Sequence, residues 1–411
     1  MNKNILVYTQ WPFFDGLTLS YVLPYIKLIK KYIPQNIKIY LVTQEQKPDN
    51  LQLVPQQILI KKMNEENIFL IHEKYYNIGI KKYFAAPFNF LKLFLKLYTK
   101  NISIIHTQAM SAGMIGCLLS WLSGKKLIVD SYEPLSESMV EGNIWKKESF
   151  AFKLVHYFEK KQAQQASYII ACTNEMLYYA KQTYGITLNN FYWKPACVDM
   201  ELFKYSECDD KQLRRKFGFE NKIVAIYVGK FGSQYLEHEV FDFFEVCRNF
   251  WGDNFRVLIL TSHTNEELKL YCDKSGFPFK LIQKEFVPHS EVKKYLSVAN
   301  FALTPVKPLP SKRYCTPIKD GEYWAMGLPV VITNNISDDS DIIIKENIGT
   351  VITTFTAKSY FKNIIELDNL LQSMPQSNLK LKIRNVAKKY RHFNIAENVY
   401  KNIYSNLYEL K

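Results

Sequence analysis

The stretch Ser311-Lys312-Arg313-Tyr314-Cys315-Thr316-Pro317-Ile318-Lys319-Asp320-Gly321-Glu322-Tyr323-Trp324-Ala325-Met326-Gly327-Leu328-Pro329-Val330-Val331 holds one structural unit. A basic loop closes at Pro317, a short helical run follows, Gly327-Leu328-Pro329 ends it, and Val330-Val331 opens an apolar strand. Proline suits the first turn of a helix and glycine its end, so both punctuation marks stand where a helix needs them. A helix running straight into a buried strand is half of a parallel strand–helix–strand repeat. The fold therefore depends on whether the same alternation recurs outward from this stretch.

It recurs in both directions. Before the stretch, residues 223–228, 255–261, 280–284 and 301–304 read as strands, separated by helical runs at 239–250, 266–275 and 292–298. In the first half, strands are expected at 5–9, 37–43, 102–106, 127–130 and 168–172, with a loop at 10–18 and an amphipathic helix at 19–32. Strand–helix alternation argues for parallel sheets covered by helices on both faces. Residues 204–221 are charged and lack a strand, which suits a linker with a short helix. The expectation is an α/β protein of two doubly wound Rossmann-like domains, residues 1–200 and 201–385, followed by a C-terminal helix over 386–411. No repeat with a period of about 20–50 residues is visible, which disfavours solenoids and propellers.

The length of 411 residues agrees with two domains, and 47% apolar content is that of a globular chain. Lys and Arg number 53 against 39 Asp and Glu, a formal charge of +14, of which +9 falls within residues 1–200. Such an excess points to an anionic partner, while the basic residues form no nucleic-acid recognition motif. The seven cysteines are scattered without C-x-x-C spacing, which argues against a disulfide framework and a zinc cluster. The chain opens directly on a strand-like run, and its longest weakly polar stretch, residues 112–122, falls well short of the roughly 20 residues a membrane span needs. The expected location is the cytoplasm. P-loop, dinucleotide and nucleophile-elbow motifs are missing. Asp339 and Asp341 form a D-x-D that could chelate a divalent ion, but acids at a helix start serve the helix dipole equally well.

The quoted stretch also contains Pro317-x-Lys319-x-x-Glu322-Tyr323-x-Ala325-x-Gly327-x-Pro329-Val330-Val331. In this it resembles the nucleotide-sugar glycosyltransferases of GT-B fold, specifically family 4, whose signature it matches at every fixed position. Flanking segments agree. Tyr227-Val228-Gly229-Lys230 follows the first strand of the second half, residues 334–338 follow the Pro-Val-Val strand, and Pro195-Ala196-Cys197-Val198-Asp199 with Phe203 precedes the linker. Residues 127–137, the helix ending Phe158-Glu159-Lys160-Lys161 and the strand at 169–173 keep the family's order. The likeness covers most of the chain and is weakest over residues 45–100.

The resemblance implies that the two domains face a cleft, with acceptor on the first, nucleotide-sugar donor on the second, and the C-terminal helix packed back on the first. It places Lys230 and Lys319 at the donor diphosphate, as groups that stabilise the charge developing on the leaving group. Gly16, Gly229, Thr316, Ser337 and Asp338 fall in the donor-binding loops, and Glu322 faces the ribose. Gly327 and Pro329 shape a turn, and Tyr323 and Trp324 belong to the core. No metal and no cofactor beyond the nucleotide-sugar co-substrate is expected.

Three departures qualify the carry-over. Tyr314 stands where many members have the first of two glutamates, so the sugar cannot be carried over, and Ser337 replaces a common glycine. In the first domain, Asp130 and Glu133 occupy a loop where the family often has a histidine. Either could orient the acceptor hydroxyl or take its proton, or simply cap a helix; His106 is a weaker alternative. Residues 80–100 set Lys81, Lys82, Lys92, Lys96 and Lys100 beside Phe84, Phe88, Phe90 and Phe94, an amphipathic helix suited to packing on a sheet or resting on an anionic membrane. The expected activity is metal-independent, retaining transfer of a sugar to a glycan or lipid-linked saccharide in bacterial surface polysaccharide assembly. A nucleotide-sugar epimerase of the same fold and a non-catalytic sugar-nucleotide-binding protein are the alternatives.

Overall fold

A computed structural model describes residues 3–46, 48–75 and 80–409, leaving aside the side chains of Asn50 and residues 80–85. The chain divides into two compact units, the first made of Met1–Lys194 with Ala396–Lys411 and the second of Pro195–Ile395.

The first unit is built on seven parallel strands, β1 (Asn4–Tyr8), β2 (Ile39–Glu45), β3 (Ile68–Lys74), β4 (Ile102–Gln108), β5 (Lys126–Asp130), β6 (Tyr168–Ala171) and β7 (Phe191–Trp193), in the order β3-β2-β1-β4-β5-β6-β7. The second carries six, β8 (Ile223–Val228), β9 (Phe255–Leu260), β10 (Ile282–Glu285), β11 (Phe301–Thr304), β12 (Val330–Thr333) and β13 (Gly349–Ile352), in the order β10-β9-β8-β11-β12-β13. Every pairing is parallel. In each sheet the strand order reverses once, at β1/β4 and at β8/β11, and parallel sheets bind ligands at the strand ends beside such a reversal.

Right-handed crossovers place the helices. In the first unit Ile80–Thr99, Met110–Ser123 and Phe150–Gln165 cover one face, and Leu23–Lys30 and Val54–Glu65 the other. The interior strands run apolar through their length because both faces are covered: Ile5, Leu6 and Val7 of β1, and Val224, Ala225 and Ile226 of β8, are fully buried.

Most expected strands stand within about two residues of their expected bounds. Three were not expected. β3 follows its apolar start, Ile68 to Ile71, with a histidine and two charged residues, β7 has only three residues, and β13 opens on glycine.

The unit boundaries fall at 194/195 and 395/396, against expected breaks at 200/201 and 385/386. Burial explains both shifts. Val198, Met200 and Phe203 belong to the core of the second unit, as do Leu379, Ile383, Val386 and Ala387 of the helix Gln376–Arg391. The expected linker holds a short helix, Glu207–Phe217, capped by Ser206, in agreement with the sequence. Only the last helix, Phe393–Tyr408, passes into the first unit, where Tyr400, Ile403 and Tyr404 are buried.

Gly327 adopts φ +76°, and a Cβ there would lie 2.7 Å from the Lys380 backbone. A left-handed conformation costs a non-glycine residue about 1–2 kcal/mol before any clash is counted. Gly327→Ala should therefore lower the unfolding free energy of the second unit by at least that amount, read as a lower urea midpoint. An unchanged midpoint would contradict the close helix approach.

Candidate functional site

In the second unit the polar side chains converge where β8 and β11 separate. β8 ends at Val228, and Gly229 follows at φ +149°, a conformation that disfavours any side chain. A Cβ on Gly229 would stand 2.9 Å from Tyr227 Oη and 3.3 Å from Lys319 Cε. The glycine thus lets the Lys319 side chain lie against the β8 turn. Its Nζ stands 5.2 Å from the centroid of the Tyr235 ring. Lys230 is exposed, and its carbonyl accepts a hydrogen bond from Tyr227 Oη at 2.6 Å.

Lys319 is carried by the helix Ile318–Ala325, which begins two residues earlier than the expected start at Asp320 and follows Pro317 with no side-chain cap on its first turn. Uncapped N–H groups at a helix start attract anions. One turn on, Glu322 is almost fully buried, and its Oε1 accepts from His289 Nε2 at 2.7 Å. That hydrogen bond holds the His289 pKa above the ordinary imidazole value, against the opposing effect of burial. On the inner side of the helix, Thr304 Oγ1, at the end of β11, donates to Asp320. Asp320 is wholly buried, and desolvation pushes its pKa up to about 7. Tyr323 and Trp324 are fully buried, in agreement with the expected core role.

A second loop joins from β12. Ser337 takes φ +49°, its N–H donates to the Lys312 carbonyl at 2.9 Å, and its Oγ lies 3.2 Å from Thr316 Oγ1. Arg313 donates to the Ser337 carbonyl at 2.7 Å and pairs with Asp341 at 2.7 Å. Asp338, half-buried, caps the helix Asp339–Glu346 in position though not by a side-chain bond. Asp339 is fully buried against Arg391, so the two carboxylates of the D-x-D face different cations.

The structure thus joins Gly229 to Lys319, and Thr316 to Ser337. His289, Arg313, Lys312, Thr304 and Tyr235 were missed by sequence reasoning. None lies inside the signature; His289 opens the helix His289–Leu296, with three residues between it and β10.

In the first unit, Asp130 ends β5 and is completely buried. Its carboxylate meets Lys194 Nζ at 3.3 Å, His106 Nε2 at 3.3 Å and Tyr400 Oη at 2.7 Å. Burial alone would raise its pKa; the Lys194 charge and the His106 and Tyr400 hydrogen bonds outweigh it and hold the carboxyl below the usual range. His106 is equally buried, its Nδ1 2.6 Å from Tyr404 Oη. Glu133 is half-buried in the loop beyond. Gly16 is exposed in the loop after β1, with open space where a Cβ would point and no positive φ. Neither sterics nor backbone within this unit require a glycine there.

With these sheets and loops the fold is GT-B, that of the nucleotide-sugar glycosyltransferases. No protein-family model and no curated protein matches the sequence. Solved structures do. Sucrose-phosphate synthase from Thermosynechococcus elongatus is similar at TM-score 0.74 and 12% identity, over 100% of both chains. Anabaena HepE in complex with UDP gives 0.71 at 14% identity, over 99% of this chain and 100% of that one. WaaG, a glycosyltransferase involved in lipopolysaccharide biosynthesis, gives 0.65 at 13% identity, over 97% and 99%. At such identities the likeness defines the fold.

The His289–Glu322 pair gives a pH signature. A raised imidazole pKa stabilises the folded state below the ordinary value of about 6.5, and that contribution is lost as pH rises through the raised value. An NMR titration of His289 should show a midpoint above the ordinary value, falling back toward it in Glu322→Gln.

Proposed function

We propose that the protein is a glycosyltransferase that moves a sugar from a nucleotide-sugar donor to an acceptor hydroxyl, with retained configuration and without a metal. The observation that carries this is the Lys319 side chain lying against Gly229 at the β8/β11 reversal, beside an uncapped helix start. That is a cationic, backbone-lined seat for a diphosphate. During transfer the bond from the anomeric carbon to the diphosphate oxygen breaks, a bond to the acceptor oxygen forms, and the acceptor proton leaves to a base. Negative charge gathers on the departing diphosphate, where Lys319 and Lys230 stabilise it better than they do the ground state. Thr316, Ser337 and Asp338 line the same seat, and Glu322 accepts the ribose hydroxyls, with His289 fixing its orientation.

Two further observations support the reading. HepE, of the same fold, has been solved with UDP and with UDP-glucose. The acids of the D-x-D are engaged by Arg391 and Arg313, which leaves the diphosphate to lysines. In the first unit we assign Asp130 a positioning role, since its buried carboxylate is wholly engaged, and give the acceptor proton to Glu133. Assembly of a surface glycan is the setting this chemistry suits, as the WaaG likeness suggests.

A membrane-facing role accompanies it. No helix among the described residues is long and apolar enough to cross a membrane. Phe88, Leu91, Leu95 and Tyr98 on one helix, and Trp121 and Leu122 on the next, are exposed. Lys92 lies 4.3 Å from the Phe88 ring centre and Lys125 5.3 Å from that of Tyr98. From Tyr75 to Val129 the chain carries seven lysines and no Asp or Glu. Aromatic rings flanked by lysines suit an anionic bilayer surface. Lys81, Lys82 and Phe84 of the same expected helix have side chains outside the described residues.

Lys319→Ala and Glu322→Ala should each lower transfer at least tenfold, about 1.4 kcal/mol in the barrier, with circular dichroism unchanged and with EDTA without effect on the wild type. Wild-type rates in both variants would defeat the site. Conversion of labelled nucleotide-sugar without acceptor would indicate an epimerase instead. For the membrane role, the protein should sediment with phosphatidylglycerol vesicles at low salt and not with phosphatidylcholine vesicles, and Trp121→Ser with Lys92→Glu should weaken this severalfold.

A further inference from the structure

Each of the two sheets has two edges, and an open edge presents unpaired N–H and C=O groups that proteins ordinarily guard with charge or shortness. Of the four edges described, three are guarded. β3 closes on Glu73 and Lys74, β10 closes on Lys284 and Glu285, and β7 has only three residues. The fourth, β13, is different. Residues 348–354 read Ile-Gly-Thr-Val-Ile-Thr-Thr, β-branched at every position but Gly349, with no charge and no proline.

Register shows which backbone groups are open. Among the described strands β13 pairs with β12 alone; Val330 N–H donates to the Ile348 carbonyl and Asn334 N–H to that of Ile352. Alternate residues of a strand bond to the same neighbour, so Thr350 and Ile352 face β12 while Gly349, Val351 and Thr353 turn their N–H and C=O groups outward. A groove of about 750 Å³ runs along those three residues, between the helices Asp339–Glu346 and Ala357–Gln372. Ile344 on the first helix, and Phe361 and Ile365 on the second, are exposed. Apolar side chains gathered at an unguarded edge mark an interaction surface.

We propose that β13 is the contact of a two-fold dimer, in which two copies of this chain pair antiparallel through Val351 and join their six-stranded sheets edge to edge. The inference is independent of the glycosyltransferase reading. Two features select a second copy as the occupant.

The first is hydrogen bonding. With the two-fold axis at Val351, that residue meets its own counterpart and Gly349 meets Thr353. Antiparallel residues so placed exchange both of their N–H···O=C bonds. The outward groups are therefore complementary to themselves, as an isologous contact requires.

The second is charge. Lys362 and Glu366 line the groove one turn apart on the same helix, both exposed and 3.7 Å from each other. The two-fold sets that helix antiparallel to its copy, so each lysine is offered a glutamate and each glutamate a lysine. A single exposed pair adds little, but here symmetry repeats it and the opposite register would set like charges together.

Sedimentation equilibrium on the full chain over about 1–100 µM tests this. The mass should rise with concentration from that of one chain toward that of two. Val351→Pro removes an outward N–H and nothing from the ladder to β12, and proline is tolerated on an edge strand. It should raise the dimer dissociation constant at least tenfold with circular dichroism unchanged. Lys362→Glu and Glu366→Lys should each do the same, because the two-fold counts every like-charge contact twice. Combining them in one chain should restore the wild-type constant, which a folding defect would not. The mass of one chain at every concentration overturns the dimer and leaves the edge to an extended segment of another protein. A dimer that all three single variants leave intact, or a combined variant no tighter than its parents, overturns it equally.

Discussion

The first unit is organised around one buried ion pair, Asp130 with Lys194. Both side chains are completely buried, and two charges so placed are stable only with close geometry and further hydrogen bonds. The structure supplies these. Asp130 also meets His106 and Tyr400, while Lys194 Nζ donates to Tyr21 Oη at 2.9 Å and lies 3.9 Å from the Tyr25 ring centre. The partners come from the ends of β4 and β5, the first helix, the residue where the chain leaves the unit, and the helix with which it returns. Removing either charge would strand the other in low dielectric, so every element that carries a partner is held in place by the same requirement. Ser131, next to Asp130, adopts φ +58° and places its Oγ 3.0 Å from Tyr21 Oη. The loop that follows β5, and Glu133 within it, therefore starts from a backbone fixed by this cluster.

The second unit solves a different problem. The helix Ile318–Ala325 is almost entirely buried and still carries a cation, Lys319, toward the turn after β8. Asp320, Tyr323 and Trp324 face inward, with Asp320 satisfied by Thr304 at the strand end. Gly321 lies close to Val198 and Arg391, where a larger residue would press on both. Lys319 then has only the direction of the Gly229 turn, and that turn can receive it because it has no side chain. The polar seat is a consequence of close packing on three sides of one short helix. This explains why a motif of scattered fixed residues mixes core aromatics, small residues and one lysine: each answers a different neighbour.

Much of this was legible from pattern alone. Buried parallel strands read as continuous apolar runs, so β1, β4, β5, β8, β9, β11 and β12 stood out. The signature located Lys319 and Glu322, because their spacing depends on helix geometry over four residues. The edges of the sheets were less visible. β3 closes on His72, Glu73 and Lys74 at one edge, β7 is very short, and β13 depends on Gly349, whose missing Cβ lets Val330 approach. The hydrogen-bond partners His289 and Arg313 were also hidden, since each acts across 24 or more positions in the chain. Asp130 was read as a group at a loop, where carboxylates are usually solvated; its burial depends on Lys194 and Tyr400, which stand 64 and 270 positions away.

By itself, the sequence determined the alternating parallel architecture, the existence of two sheets, and the helix that carries Lys319 and Glu322. These rest on local periodicity, punctuation by glycine and proline, and spacings of a few residues, all of which act through neighbouring backbone. Tertiary structure alone decided where the units divide, which acid is buried, and how the C-terminal helix serves the first unit while the helix before it serves the second. Those outcomes depend on desolvation and charge pairing between residues far apart in the chain, where no local pattern records which cation will meet which carboxylate.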